Sequence, residues 1–329
     1  MKTSIRNLTL FAGIGATALL YSCGNNEHEM KDSDSMEHHD KEGHEHVYAC
    51  PMHPEVTGKE GEKCPKCGMA LEHNDNAGNT NVYVMQFSSA PATIESGKEV
   101  SLNFTPKIKG KDTEQVPLDA VHEKKIHLIM VSKDLSWFDH IHPEIQADGS
   151  YIVKTTFPAG GQYTLFADYT PSGAVHQLEK IAITVSGAPS KETAYTASAT
   201  TWKKGDLEVS LQPEGGKFVT GTMLHIEGII KQKGKTLDAS AFENYLGAKA
   251  HMVVIKSGTY EYLHVHPDVE NGNLDLHTTF ETPGVYRGWL QFQINGQLHT
   301  ADFVINVEQG TANATTGHGE HDHGDEHHH

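Results

Sequence analysis

From residue 82 to residue 308 the chain is written in short runs of Val, Ile, Leu, Thr, Tyr and Phe, cut at close intervals by Gly, Pro and Asn. Apolar and β-branched runs bounded by turn residues are the signature of strands. Long helices are not evident; Leu237 to Leu246 is expected to hold one short turn.

The runs also repeat. His127-Leu128-Ile129-Met130-Val131-Ser132 falls on His251-Met252-Val253-Val254-Ile255-Lys256 at an offset of 124, and the same offset carries His140-Ile141-His142-Pro143 onto His264-Val265-His266-Pro267. After a one-residue deletion, an offset of 123 brings Thr155-Thr156-Phe157 onto Thr278-Thr279-Phe280 and His176 onto His299. The chain therefore holds two copies of one domain, residues 82–187 and 199–308, each matching an all-β sandwich of ~100 residues. The expected fold is all-β, with Ig-like or cupredoxin-like sandwiches. Met130 and Met252 read as core positions.

Strand geometry gives the repeated histidines a meaning. A hairpin turning at Gly258-Thr259 sets His251 opposite His266 and Val253 opposite His264, so the three histidines share one face. The first copy allows the same register around Asp134-Leu135, gathering His127, His140 and His142. A second hairpin, turning at Ser172-Gly173 or Asn295-Gly296, sets His176 opposite Tyr169 and His299 opposite Phe292. Three imidazoles on one face can converge on an ion, and His176 and His299 are the fourth candidates. Structural hydrogen-bonding histidines are the plainer alternative. His122, His225 and His277 have no counterpart in the other copy and read as surface residues. Asp139 and Asp168 align with Leu263 and Gln291, which argues against a shared carboxylate ligand.

Ahead of the repeats, residues 47–73 carry two knuckles, Cys50-Pro51-Met52-His53 and Cys64-Pro65-Lys66-Cys67-Gly68. A unit this small has no room for a core of its own, so a bound ion must supply its folding free energy. Cys50, His53, Cys64 and Cys67 make a tetrahedral set, with Met52 and Met69 as possible soft ligands. The segment Tyr48-x-Cys50-Pro51-Met52-His53-Pro54 through Cys64-Pro65-x-Cys67-Gly68-Met69-x-Leu71 resembles the heavy-metal-binding domain of heavy-metal efflux adaptors and copper-transporting P-type ATPases. The resemblance implies traffic in copper, silver or zinc; a purely structural zinc ribbon stays open beside it.

At the start of the chain, Lys2 and Arg6 precede an uncharged stretch from Leu8 to Leu20, shorter than a bilayer span but suited to a secretory signal over residues 1–22. Leu20-Tyr21-Ser22-Cys23 resembles a bacterial lipobox, which implies export and a lipid anchor at Cys23. Residues 23–46 and 309–329 are polar and rich in His, Asp and Glu, and read as disordered tails with weak metal affinity.

Composition narrows the functions. Lys plus Arg number 26 against 43 Asp plus Glu, a net charge of −17, which excludes a phosphate-tracking nucleic-acid binder and favours cations. The repeats have no cysteine, which excludes blue copper electron transfer. No nucleophile elbow or phosphate-binding loop is present, so no catalytic residue is assigned. The expectation is a cell-envelope, lipid-anchored protein, not an enzyme, that binds copper or zinc ions for sequestration or for delivery to a metal efflux system. The alternative is a surface module for protein or glycan whose knuckle zinc is structural. An oxidase or mononuclear copper enzyme using open three-histidine sites is a third reading.

Overall fold

The computed structural model describes residues 48–50, 56–65, 71–73, 79, 81–111, 113–265, 267–270 and 272–310. The expected signal, the anchor Cys23, Met52, His53, Cys67, Met69 and His266 lie outside the described residues, and so do the His-rich tails save Gln309 and Gly310, which bond to Thr220 Oγ1. Among the described residues the secondary structure is strands and two 3-10 turns, one of them Ala239–Ala241, inside the stretch expected to turn. No described helix is long and apolar enough to cross a membrane.

Each repeat is a two-sheet sandwich. In the first, one sheet orders Glu144–Ile145, Tyr151–Thr156, Glu99–Ile108 and Tyr83–Ala90, and the other runs Ile94–Glu95, Gln177–Ser186, Gly161–Pro171, Ile126–Ser132 and Phe138–Ile141. The second repeat follows the same order, from Asp268–Glu270 through Asn273–Thr279, Met223–Gln232, Leu207–Pro213 and Thr201–Lys204, facing Phe218–Val219, Gln297–Glu308, Gly284–Ile294, Ala250–Lys256 and Tyr262–Val265. Alternate residues of facing strands fill each core, Leu102, Phe104, Leu128 and Met130 in the first and Val209, Leu276, Met252 and Leu290 in the second.

A further layer is shared. Every residue of Ile126–Ser132 is buried, and Ala250–Ile255 likewise, because the face of each sheet turned away from its own core packs on the other repeat. Ile129, Val131, Leu135 and Phe166 meet Val253, Ile255 and Trp289 there. Phe138 stacks on Trp289 with ring centroids 4.5 Å apart, and Phe166 on Tyr262 at 5.0 Å. Since Phe138 aligns with Tyr262 and Phe166 with Trp289, exchanging the repeats turns one stack into the other. The contact is thus isologous, built like a two-fold dimer interface inside a single chain.

The small N-terminal unit is a three-stranded sheet in which Tyr48–Ala49 pairs with Thr57–Gly58 and Glu72–His73. Cys50, Cys64 and Leu71 form its buried centre, with Tyr48 and Val56 packed around them. Its segment around Cys64 lies on the second repeat: Thr279 Oγ1 donates to Pro65 O at 2.9 Å, and Lys63 pairs with Asp268 at 3.5 Å.

Candidate metal centre

The hairpin registers place the repeated histidines on the shared face. Leu128 pairs with Ile141 and Ile129 with His140, while Val253 pairs with His264 and Met252 with Val265, as the expected turns require. His127, Ile129 and Val131 then point away from the core of their sandwich, and so do Phe138, His140 and His142. The same alternation turns His251, Val253, Tyr262 and His264 toward the first repeat. Histidine rings from both copies meet in one cluster: His127 lies 5.6 Å from His264 and 6.4 Å from His251, and His140 lies 6.2 Å from His264, ring centre to ring centre.

Hydrogen bonds at the periphery fix the tautomers. His127 Nε2 donates to the Val121 carbonyl at 3.0 Å, so its Nδ1 carries the lone pair. His140 Nδ1 lies 2.6 Å from Gln291 Oε1; with the amide turned this way, its nitrogen donating to Thr300 Oγ1, the His140 lone pair falls on Nε2. These two lone-pair nitrogens face each other 3.2 Å apart, and His142 Nε2 stands 3.2 Å from His140 Nε2. Donor atoms around a tetrahedral ion at its usual bond length of ~2.0–2.1 Å are about 3.3–3.4 Å apart. His127, His140 and His142 are also one of two sets among the described residues whose ligand atoms all lie within 4.8 Å of one another.

The second repeat holds its two described histidines by the same ring atoms, with the rings 5.9 Å apart between centres. His251 Nε2 donates to Tyr245 O at 2.9 Å, which leaves Nδ1 as its lone-pair nitrogen. His264 Nδ1 donates to Asp168 Oδ2 at 3.2 Å, which leaves Nε2. The lone-pair atoms are those used by His127 and His140. Asp168 stands where Gln291 stands in the other half, and its carboxylate also accepts from His176 Nε2 at 2.6 Å and from Tyr262 Oη at 3.3 Å.

Burial sets the charge state. Loss of water, with neighbouring rings adding to it, lowers His122 and His127 from the ordinary 6.5 to about 4, and His142 and His251 to about 3; His140 falls well below 6.5. These rings are neutral at pH 7, the form in which imidazole ligates metal. Burial by itself raises a carboxyl, but His176 and His264 hold Asp168 well below the usual range. Burial opposes the charge on His176, and the Asp168 carboxylate outweighs it, so His176 is raised.

Several sequence expectations are corrected. His176 does not sit opposite Tyr169: Gln177 does, and Leu178 pairs with Asp168. That shift of one residue moves His176 to the face of Asp168. His299 does pair with Phe292, but it stacks on that ring at 5.4 Å, beside Lys204, rather than joining the interface cluster. His122 is no surface residue. It sits in a tight turn with Glu123, at φ 47° and 66°, and its ring lies 5.5 Å from that of His251. His277 is buried on the outer sheet of the second repeat, whereas His225 is exposed as expected. Asp168, discounted because its counterpart is Gln291, contacts the other repeat's His264. The signal available for the shared face was the near-continuous apolar run of Ile126–Val131 and Met252–Ile255, which marks strands covered on both sides.

In the N-terminal unit Cys50 and Cys64 are buried in its centre, with Cys50 N bonded to Val56 O at 3.0 Å. A family model described as a heavy metal binding domain matches residues 47–74. A second, described as a domain of unknown function (DUF8832), matches twice, at residues 79–187 and 200–309. No curated protein matches the chain. Among solved structures it is similar to a chimeric titin Z1Z2-Z1Z2 tandem at 12% identity, over 70% of this chain and 100% of that one, with a TM-score of 0.19. It is also similar to a two fibronectin type-III domain segment from chicken tenascin at 11% identity, over 69% and 99%, with a TM-score of 0.20.

Proposed function

The chain belongs to the DUF8832 family, whose domain of unknown function it carries twice behind a heavy metal binding domain, and on that premise we propose that the repeats themselves bind metal ions at their shared face. His127, His140 and His142 hold one ion, and His251, His264 and His266 form the equivalent half-site. Copper, or zinc, suits an all-imidazole donor set; Met52 and Met69 beside the Cys50, His53, Cys64 and Cys67 set suit copper(I). The ion is cargo, and ligand exchange is the activity. Export and a lipid anchor at Cys23 would keep the protein at the cell envelope, where it sequesters metal or passes it to an efflux system, and the His-rich tails would raise the local ion concentration.

The observation that carries this reading is the convergence of His127 Nδ1, His140 Nε2 and His142 Nε2, with His140 Nε2 3.2 Å from each of the other two, close to the donor spacing around a tetrahedral ion. Buried nitrogen lone pairs brought this close repel unless a proton or a cation lies between them. The test is elemental analysis of protein loaded with Cu(II) or Zn(II) and desalted. His140→Ala together with His264→Ala is expected to lose bound metal relative to the parent while the knuckle retains its ion. An unchanged stoichiometry would overturn the assignment.

A further inference from the structure

On the far side of the second repeat, the outer sheet brings His225, Asp275 and His277 together. His225 and His277 are directly opposed on the neighbouring strands Met223–Gln232 and Asn273–Thr279, and Asp275, two residues before His277, shares their face. Their rings are 4.4 Å apart between centres. Asp275 Oδ2 lies 2.8 Å from His277 Nε2 and 3.5 Å from His225 Nδ1, and the three ligand atoms fall within 4.8 Å of one another. These separations bracket the ~3.3 Å expected between donors on a tetrahedral ion.

Two independent features point to a ligand. His277 is 8% exposed, and its Nε2 is buried without a hydrogen bond although a carboxylate oxygen is 2.8 Å away. The oxygen lies off the direction in which an N–H would donate, so ring and carboxylate converge on a point between them instead of bonding to each other. Carboxylates also crowd this face. Asp275 is directly opposed by Glu227 on one side and by Asp268 on the other, and like charges so placed are destabilising. Among the described residues Lys63 pairs with Asp268 at 3.5 Å, and Glu227 is met by the neutral Asn273 amide.

The first repeat has none of this. Ser101 and Lys154 pair where His225 and His277 pair, Ile152 replaces Asp275, and the Lys154 ammonium binds Glu99 at 2.9 Å. The first copy thus answers the same position with a covalently held cation.

We propose that His225, Asp275 and His277 form a separate divalent-metal site, for a borderline ion such as Zn²⁺ or Cu²⁺, with the exposed side of His225 leaving a coordination position open to water or an incoming ligand. It is independent of the histidines at the repeat contact. It also adjoins the segment carrying Cys64, since Pro65 and Lys63 rest on the same sheet through Thr279 and Asp268.

The experiment uses the full chain with Zn²⁺ and Cu²⁺ as probes. Asp275→Asn keeps the shape and removes the charge; His225→Ala alters an exposed side chain; His225→Ser with His277→Lys recreates the first repeat. Each is expected to bind one equivalent less than the parent by elemental analysis, and to lose one component of the Cu²⁺ electron paramagnetic resonance spectrum, with the unfolding temperature of the metal-free protein preserved. The same equivalent must persist in His140→Ala/His264→Ala, which separates this site from the interface. Unchanged stoichiometry and spectrum in both Asp275→Asn and His225→Ala would overturn the proposal.

Discussion

Acid should part the two repeats, and the size of the effect follows from their shared face. His127 is 2% exposed, and burial takes it from 6.5 to about 4. A protonated ring costs the folded state that difference, roughly 3 kcal/mol for this one residue. The unfolded chain binds the proton more readily, so stability is full above pH 6.5, declines as pH falls below it and reaches its floor near pH 4. His122, His140, His142 and His251 are lowered for the same reason and add slope in the same direction. His176 runs the other way, with a contribution complete below 6.5 and lost as pH rises through its raised value. Five rings against one leave a net loss on acidification, with a ceiling near ~1.4 kcal/mol per pH unit for each ring titrating. The loss is concentrated at the interface, where Trp289 stacks on Phe138, so its fluorescence, read in a background with Trp137 and Trp202 replaced by Phe, reports opening. Urea unfolding of metal-free protein from pH 7.5 to pH 4.5 should show a falling midpoint, with Trp289 exposure preceding global unfolding. His127→Gln should flatten the slope, and Cu²⁺ or Zn²⁺ should shift the decline to lower pH. A midpoint indifferent to pH between 7 and 5, or one that rises on acidification, would refute the assignment of buried neutral rings.

Two further outcomes are expected. Asp168→Asn removes the carboxylate that holds His176 charged, so the His176 imidazole, followed by NMR titration, should move from above 6.5 to below it, while His264 keeps an acceptor in the Asn oxygen. Glu123→Gly should raise stability by about 0.5–1 kcal/mol in urea unfolding, because Glu123 occupies a left-handed φ of 66° where the second repeat has Gly247.

The duplication and the hairpin registers were legible because strand alternation has a period of two and turn residues fix where it reverses; His140 and His264 could be assigned a face from Leu135 and Gly258 alone. What stayed hidden depended on packing between sheets that sequence does not order. His122 needed the turn that bends it back over His251. Asp168 and Gln291 were weighed as mismatched ligands within one domain, whereas each serves the histidine of the other. The expected pairing of His176 with Tyr169 failed because the first repeat's turn after Pro171 is one residue longer than the Asn295-Gly296 turn in effective register, so the return strand shifts faces. In the N-terminal unit the buried pair Cys50 and Cys64 could be anticipated from knuckle spacing, since a metal-organised unit leaves little freedom in where its thiols point.

A homodimer must present the same residue on both sides of its axis, so any change near that axis is made twice. Joining the two halves into one polypeptide lifts that constraint. Here a carboxylate supports His264 while an amide supports His140, so the two halves of the contact differ in charge. Tandem duplication thus converts a self-matching contact into one with two unequal halves, each free to change without the other.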